Sequence, residues 1–360
     1  MSEYLGKLHE TAVRFPDTDI WMDTCGEMEL DYGLERGIVG ATSNPIIIGA
    51  VIKDELPKLE GKIKELIQDM PEATEEDITW ALIDYVGADR SKKLLPVYEQ
   101  FKGKKGRLSI QTNAKYYRNT ELMVAQAMHL NSLGKNMQIK IPASAAGIKA
   151  MEEVTYRGAS VNATVSFTVA QAVAVAEAVE RGLNRRKAEG LPVDDMSPVC
   201  TLMIGRVDDW VKQSVAQSGK AAELPEALEW CGVAVMKEAY RIYKEKGFTT
   251  RLLSAAYRNL NHWSELVGGD LCMTIPYKWH VMINACERPV EDRINVPVKA
   301  EYMDALMKLP EFVKSFDANA QTPEEFVSYG GFQDTLATFI GGYEQLLGLI
   351  RNYMIYPEKH

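Results

Sequence analysis

Eight short β-prone runs alternate with longer stretches of helical spacing, and this alternation leaves very few architectures open. The runs cover residues 19–23, 38–42, 107–111, 137–141, 160–164, 199–203, 251–255 and 271–275. Several are apolar almost throughout, as a parallel strand buried on both faces reads. Residues 45–66, 75–101, 120–133, 146–157, 167–189, 225–246 and 254–267 carry apolar positions at helical intervals. Eight β/α units predict an α/β protein, a (β/α)8 TIM barrel over residues 1–285. Beyond 285 the strand pattern stops and residues 322–353 read as helical, so 286–360 is read as a C-terminal helical extension packed on the barrel. A doubly wound open sheet is the competing arrangement. It would bring a Gly-rich nucleotide loop, and neither G-x-G-x-x-G nor G-x-x-x-x-G-K-[ST] occurs.

Bulk properties narrow the function. A net charge of −9 supplies no general basic face for nucleic acid. No apolar run reaches membrane-spanning length, and the opening MSEYLGKLHETAVRF lacks the apolar core of a signal peptide. The five cysteines form no C-x-x-C pair, which fits thiols in a reducing cytoplasm. The histidines at 9, 129, 262, 280 and 360 show no H-x-x-x-H spacing, so no metal site is expected. The reading is a cytoplasmic protein with neither nucleic-acid nor membrane partners; a homo-oligomer stays open.

In a barrel the chemistry gathers at the C-terminal ends of the strands. Lys140 closes the apolar run Met137-Gln138-Ile139-Lys140-Ile141-Pro142. Burial would lower its pKa, and a neutral amine can form a Schiff base with a ketone. On that segment alone, a lysine snorkelling to solvent is the better fit, and the rest of the chain reverses that order. The other strand ends carry Asp23, Asn44, Gln111, Thr164, Thr201 with Met203, and Thr274; Arg206 and Arg258 follow strands six and seven. One amine, one carboxylate, several neutral polar groups and two arginines suit imine chemistry on a small anionic carbonyl compound. Each has a plainer reading. Asn44 before Pro45 would cap a helix in any protein. Arg206 and Arg258 could pair with Asp208 or Asp209. Cys25 has no obvious histidine partner.

Six stretches together resemble the transaldolase family of class I aldolases. They are Trp21-Met22-Asp23-Thr24, Gly40-Ala41-Thr42-Ser43-Asn44-Pro45, Ile139-Lys140-Ile141-Pro142 with Gly147-Ile148, Val161-Asn162-Ala163-Thr164 with Ser166-Phe167 and Ala170-Gln171-Ala172, Ile204-Gly205-Arg206-Val207-Asp208-Asp209-Trp210, and Ala255-Ala256-Tyr257-Arg258-Asn259. The resemblance implies an imine on Lys140 and Asp23 as the general acid/base at the C4 hydroxyl. It implies Asn44 and Thr164 around the dihydroxyacetone moiety and the catalytic water, and Arg206 and Arg258 on phosphate. Gln111 would stand at the water and Thr201 and Met203 at the substrate.

Three positions depart from the family pattern. Gln111 stands where many members have Glu, and glutamine can hold a water without trading protons. Met203 stands where typical members have Phe and fructose-6-phosphate aldolase has Tyr. Ala256 replaces a small hydroxyl residue. The resemblance therefore implies a cofactor-independent transferase of carbohydrate metabolism, moving a dihydroxyacetone unit from a ketose phosphate to an aldose phosphate. Its partners would be small sugar phosphates. The alternatives are a free-standing aldolase like fructose-6-phosphate aldolase, a transaldolase for an unusual sugar, or, in another class, a non-catalytic sugar-phosphate-binding module.

Overall fold

The eight strands close on themselves, each parallel to the next. They are β1 (Thr18–Met22), β2 (Gly40–Thr42), β3 (Arg107–Gln111), β4 (Met137–Pro142), β5 (Val161–Thr164), β6 (Val199–Leu202), β7 (Arg251–Ser254) and β8 (Leu271–Ile275). These come from a computed structural model that describes residues 4–219 and 222–359; residues 1–3, 220–221 and 360 lie outside the described part. The ring closes where Thr18 to Met22 pair with Leu271 to Ile275 in unbroken parallel register. The (β/α)8 expectation is thereby met.

Helices wrap the barrel: α1 (Lys7–Arg14), α2 (Glu27–Leu34), α3 (Pro45–Asp54), α4 (Leu56–Asp69), α5 (Glu75–Gln100), α6 (Thr120–Ser132), α7 (Ala145–Tyr156), α8 (Val169–Ala188), α9 (Ile204–Gln217), α10 (Cys231–Lys246), α11 (Asn261–Ser264) and α12 (Tyr277–Ala285). After them come α13 (Ala300–Leu306), α14 (Pro310–Phe316) and α15 (Gly330–Ile355). The last of these lies against α3, α5 and α9. Among the described residues no helix is long and apolar enough to cross a membrane.

Three helical expectations need correction. The stretch 45–66 is two helices, because the chain turns at Glu55 and restarts with Pro57 in the first turn of α4, where a missing N–H costs nothing. Residues 254–267 hold only the short α11. Their apolar spacing mimics a helix, but Ala256 is left-handed at φ 64° and Asn259 accepts the Asn261 N–H in a tight turn. The stretch 322–353 begins as a 3-10 turn at Pro323–Ser328 before α15 starts at Gly330. Helix α9, absent from the sequence reading, begins directly after Met203.

The barrel interior is unusually polar below its mouth. Ser109 donates to Gln138 Oε1 at 2.6 Å, Asn162 Nδ2 donates to Ser109 Oγ at 3.0 Å, and Thr201 donates to Asn162 Oδ1 at 2.6 Å. Gln138 Nε2 closes the network on the Ser197 carbonyl at 2.7 Å. All four side chains are buried, and each bond satisfies a group that would otherwise carry an unpaired desolvation cost. Asn162 is the hub and neighbours Lys140 in the β4–β5 register. Asn162→Ala leaves the Thr201 hydroxyl without its acceptor and takes one donor from Ser109. We expect a loss of about 1–3 kcal/mol in unfolding free energy by denaturant titration; a change within experimental error would mean the network contributes nothing.

Candidate active site at the barrel mouth

Alternation along the strands sends Gln138 and Lys140 inward while Ile139 and Ile141 join the outer core. Lys140 is only 4% exposed and pairs in register with Gln111 on one side and Asn162 on the other. Its Nζ reaches across β3 and donates to the Ser43 carbonyl at 3.0 Å. That carbonyl lies in the turn between β2 and α3. The bond places the amine beside the Thr42-Ser43-Asn44-Pro45 motif. Burial pushes the Lys140 pKa down to about 8, with the Asp23 charge pulling the other way. At neutral pH about one amine in ten is then unprotonated, against fewer than one in a thousand at the ordinary lysine pKa. A close approach supports this placement. A Cβ on Gly147, at the start of α7, would sit 1.8 Å from the Pro142 carbonyl oxygen, so only glycine lets α7 pack onto the end of β4.

Asp23 follows β1 and keeps a partial opening at the mouth. Its backbone N–H donates to the Ile275 carbonyl at 2.9 Å. The Thr42 hydroxyl donates to its Oδ1 at 2.6 Å. Burial pushes its pKa up; Lys140, the Thr42 bond and Arg206 oppose that rise. Among the described residues Asp23 and Lys140 make no direct ion pair, so they share a field without neutralising each other by contact.

Thr164 and Gln111 complete the inner ring. Thr164 is fully buried with its hydroxyl unpartnered, and both amide atoms of the buried Gln111 are unpartnered too. Buried polar groups of a folded protein are nearly always paired, so two exceptions on the strands that flank Lys140 suit a place that holds something polar. Asn44 Oδ1 caps α3, accepting from Ile46 at 2.9 Å and Ile47 at 3.0 Å, so its capping role is present. Asn44 and Gln111 also line a small cavity walled by Ile48, Trp80, Tyr343 and Leu346. That cavity is a side chamber: Lys140, Asp23 and Thr164 are not in its walls.

The remaining candidates divide. Met203 is buried at the start of α9, its N–H donating to the Ser166 carbonyl at 3.0 Å. The Thr201 hydroxyl donates to Asn162 Oδ1 at 2.6 Å, which keeps its lone pairs for a further donor. The two arginines differ. Arg258 is held by Asp209, with Nη2–Oδ2 at 2.7 Å and Nε–Oδ2 at 2.9 Å. Its Nη1 donates to the Ala256 and Tyr257 carbonyls. The Arg206 side chain makes no hydrogen bond or ion pair with the described residues. Its guanidinium lies 5.8 Å over the Phe339 ring of α15, which leaves its donors free for an anion. Gly205 lets the start of α9 approach the segment after β7, since a Cβ there would fall 1.7 Å from the Ala256 carbonyl oxygen.

Two supporting residues were not given roles in the sequence reading. Gln171 Nε2 donates to the Ala143 and Val165 carbonyls, both at 3.1 Å, and so ties the loops after β4 and β5 together beside the left-handed Val165 at φ 50°. The Ala170-Gln171-Ala172 motif held this signal. His262, fully buried, accepts from the Arg258 N–H at Nδ1 and therefore offers Nε2–H to Asp208 at 2.8 Å. A lone histidine at helical spacing gave no sequence cue to that brace.

This geometry places a buried, partly deprotonated amine, a carboxyl poised by opposing fields, two unpartnered polar side chains and one free guanidinium around one opening. The family model for transaldolase/fructose-6-phosphate aldolase matches residues 20–343. A protein named transaldolase from Acidothermus cellulolyticus is 30% identical over 268 residues, 70% of this chain and 67% of that one. Another of that name from Thiobacillus denitrificans is 28% identical over 299 residues, 75% of this chain and 82% of that one. One from Trichodesmium erythraeum is 27% identical over 333 residues, 80% and 84% of the two chains. With nine-tenths of its length inside that match, the chain belongs to the transaldolase/fructose-6-phosphate aldolase family.

Proposed function

We propose that the protein is a transaldolase that moves a dihydroxyacetone unit from a ketose phosphate to an aldose phosphate through a Schiff base on Lys140. The observation that carries this reading is the buried Lys140 amine, held by a backbone carbonyl rather than by a carboxylate, with its pKa brought down to about 8. The neutral amine attacks the ketose C2 carbonyl and water leaves as the imine forms. The Asp23 carboxylate takes the proton of the C4 hydroxyl. The C3–C4 bond breaks, its electron pair passes into the protonated imine, and an aldehyde departs from the bound enamine. An acceptor aldehyde then receives C3, Asp23 returns the proton to the new C4 oxygen, and water hydrolyses the imine.

Two features support transfer over simple release. Release requires protonation of the enamine carbon. Gln111 can hold a water but supplies no acid at neutral pH, and Met203 has no hydroxyl. Transfer needs only an acceptor aldehyde. In an assay with a ketose phosphate donor, transfer should outpace release of free dihydroxyacetone by about tenfold or more, a barrier difference of about 1.4 kcal/mol or more. Release without acceptor at the same rate as transfer with one would make the protein a free-standing aldolase.

The free guanidinium of Arg206 supports an anionic substrate tail. Hydrogen bonds to a charged group contribute about 1.5–3 kcal/mol, so Arg206→Ala should raise KM for phosphorylated substrates by roughly ten- to a hundredfold and leave unphosphorylated ones nearly unchanged. Arg258→Ala should act less, because that guanidinium is already engaged by Asp209. Steady-state kinetics with both substrate types checks this; equal effects of Arg206→Ala on both would make Arg206 structural.

A further inference from the structure

The hydroxyls of Thr42 and Thr274 form a chain that ends on Asp23. Thr42 Oγ1 donates to Asp23 Oδ1 at 2.6 Å, and Thr274 Oγ1 lies 2.6 Å from Thr42 Oγ1. Both threonines are fully buried. They stand on β2 and β8, the two strands that flank β1, with Trp21 beside Thr274 and Met22 beside Ala41 in register. A threonine hydroxyl has one proton and two lone pairs. While Thr42 gives its proton to the Asp23 carboxylate, Thr274 has to be the donor between the two threonines. Once Asp23 carries a proton on Oδ1, both hydroxyls can turn and the same contacts run in reverse: Asp23 donates to Thr42, and Thr42 donates to Thr274. No heavy atom moves.

We propose that Thr42 and Thr274 are positioning residues that hold the Asp23 carboxyl in one orientation through both of its protonation states. This rests on the acid–base role given to Asp23 above. The proton stays on Asp23; the threonines turn and do not titrate. A group that takes a proton from one substrate and returns it to the next has to face the same direction in both states. A fixed donor such as a backbone N–H or an ammonium cannot accept a proton carried on the oxygen that it faces, whereas a hydroxyl can. The charged and titratable groups around Asp23 are Lys140 from β4, Arg206 from α9 and Tyr257 from the segment after β7. The two cations and the Thr42 bond favour the carboxylate, and burial favours the acid. Asp23 thus sits between opposing influences, and the reversible chain is the one contact that serves both outcomes.

The test is a titration of the Asp23 carboxyl by 13C NMR in protein labelled at aspartate, with the signal assigned by its loss in Asp23→Asn, alongside the pH profile of turnover. Thr42→Val keeps the shape and removes the donor. It should raise the Asp23 midpoint by about one to two pH units and move the matching limb of the rate profile equally. Thr42→Ser should restore both. Thr274→Val should shift them in the same direction by less, because Thr42 keeps its bond but loses its own donor. An unmoved midpoint in Thr42→Val, or a Thr42→Ser that behaves like it, overturns the chain. A moved midpoint with an unmoved rate profile overturns the proposal differently: the hydrogen bonds stand, and the acid–base role of Asp23 falls.

Discussion

Placing an amine inside a barrel is the constraint from which the rest of this site follows. Lys140 is charged at little cost in water and at high cost where it stands, and its lowered pKa is the measure of that cost. The surroundings do not cancel it with a contacting carboxylate. They offer one backbone carbonyl, from Ser43, and a carboxyl that acts through the field. Ser109, Gln138, Asn162 and Thr201 satisfy one another, so these four make no demand on the lysine. Gln111 and Thr164, near the lysine at the strand ends, are among the buried groups left unpartnered.

The outer rim shows the same economy. Asp209 holds Arg258 and leaves Arg206 to the Phe339 ring, so helix α15, which follows the barrel in sequence, helps seat a mouth residue. Asp334 on the same helix adds an opposite charge to the field at Arg206. The extension is therefore part of the electrostatics of the site and not only a covering layer.

Much of this was legible in the sequence, for identifiable reasons. Strands β3 and β8 match the predicted runs residue for residue because their apolar stretches end at polar or turn-forming neighbours. The inward positions of Lys140, Thr164 and Gln111 follow from strand alternation once the barrel is assumed. The segment after β7 was misread because its apolar spacing imitates a helix, while the backbone is fixed by a left-handed Ala256 and by contacts with His262 and Asp208 that are far apart in sequence. The Asp209–Arg258 pair was open in the sequence as one of two choices; only three-dimensional placement separates Arg258 from Arg206. The Thr201–Asn162 bond joins adjacent strands and left no cue in the sequence.

The central claim is that Lys140 carries the covalent intermediate. The direct measurement is reduction with borohydride in the presence of a ketose phosphate, followed by mapping of the adduct by tandem mass spectrometry across a pH series. The account predicts one stable adduct, on Lys140. Its initial rate of formation should climb as pH rises through about 8, where the folded amine loses its proton, and level off above. An adduct on a different lysine, or none at Lys140 at any pH, would contradict it.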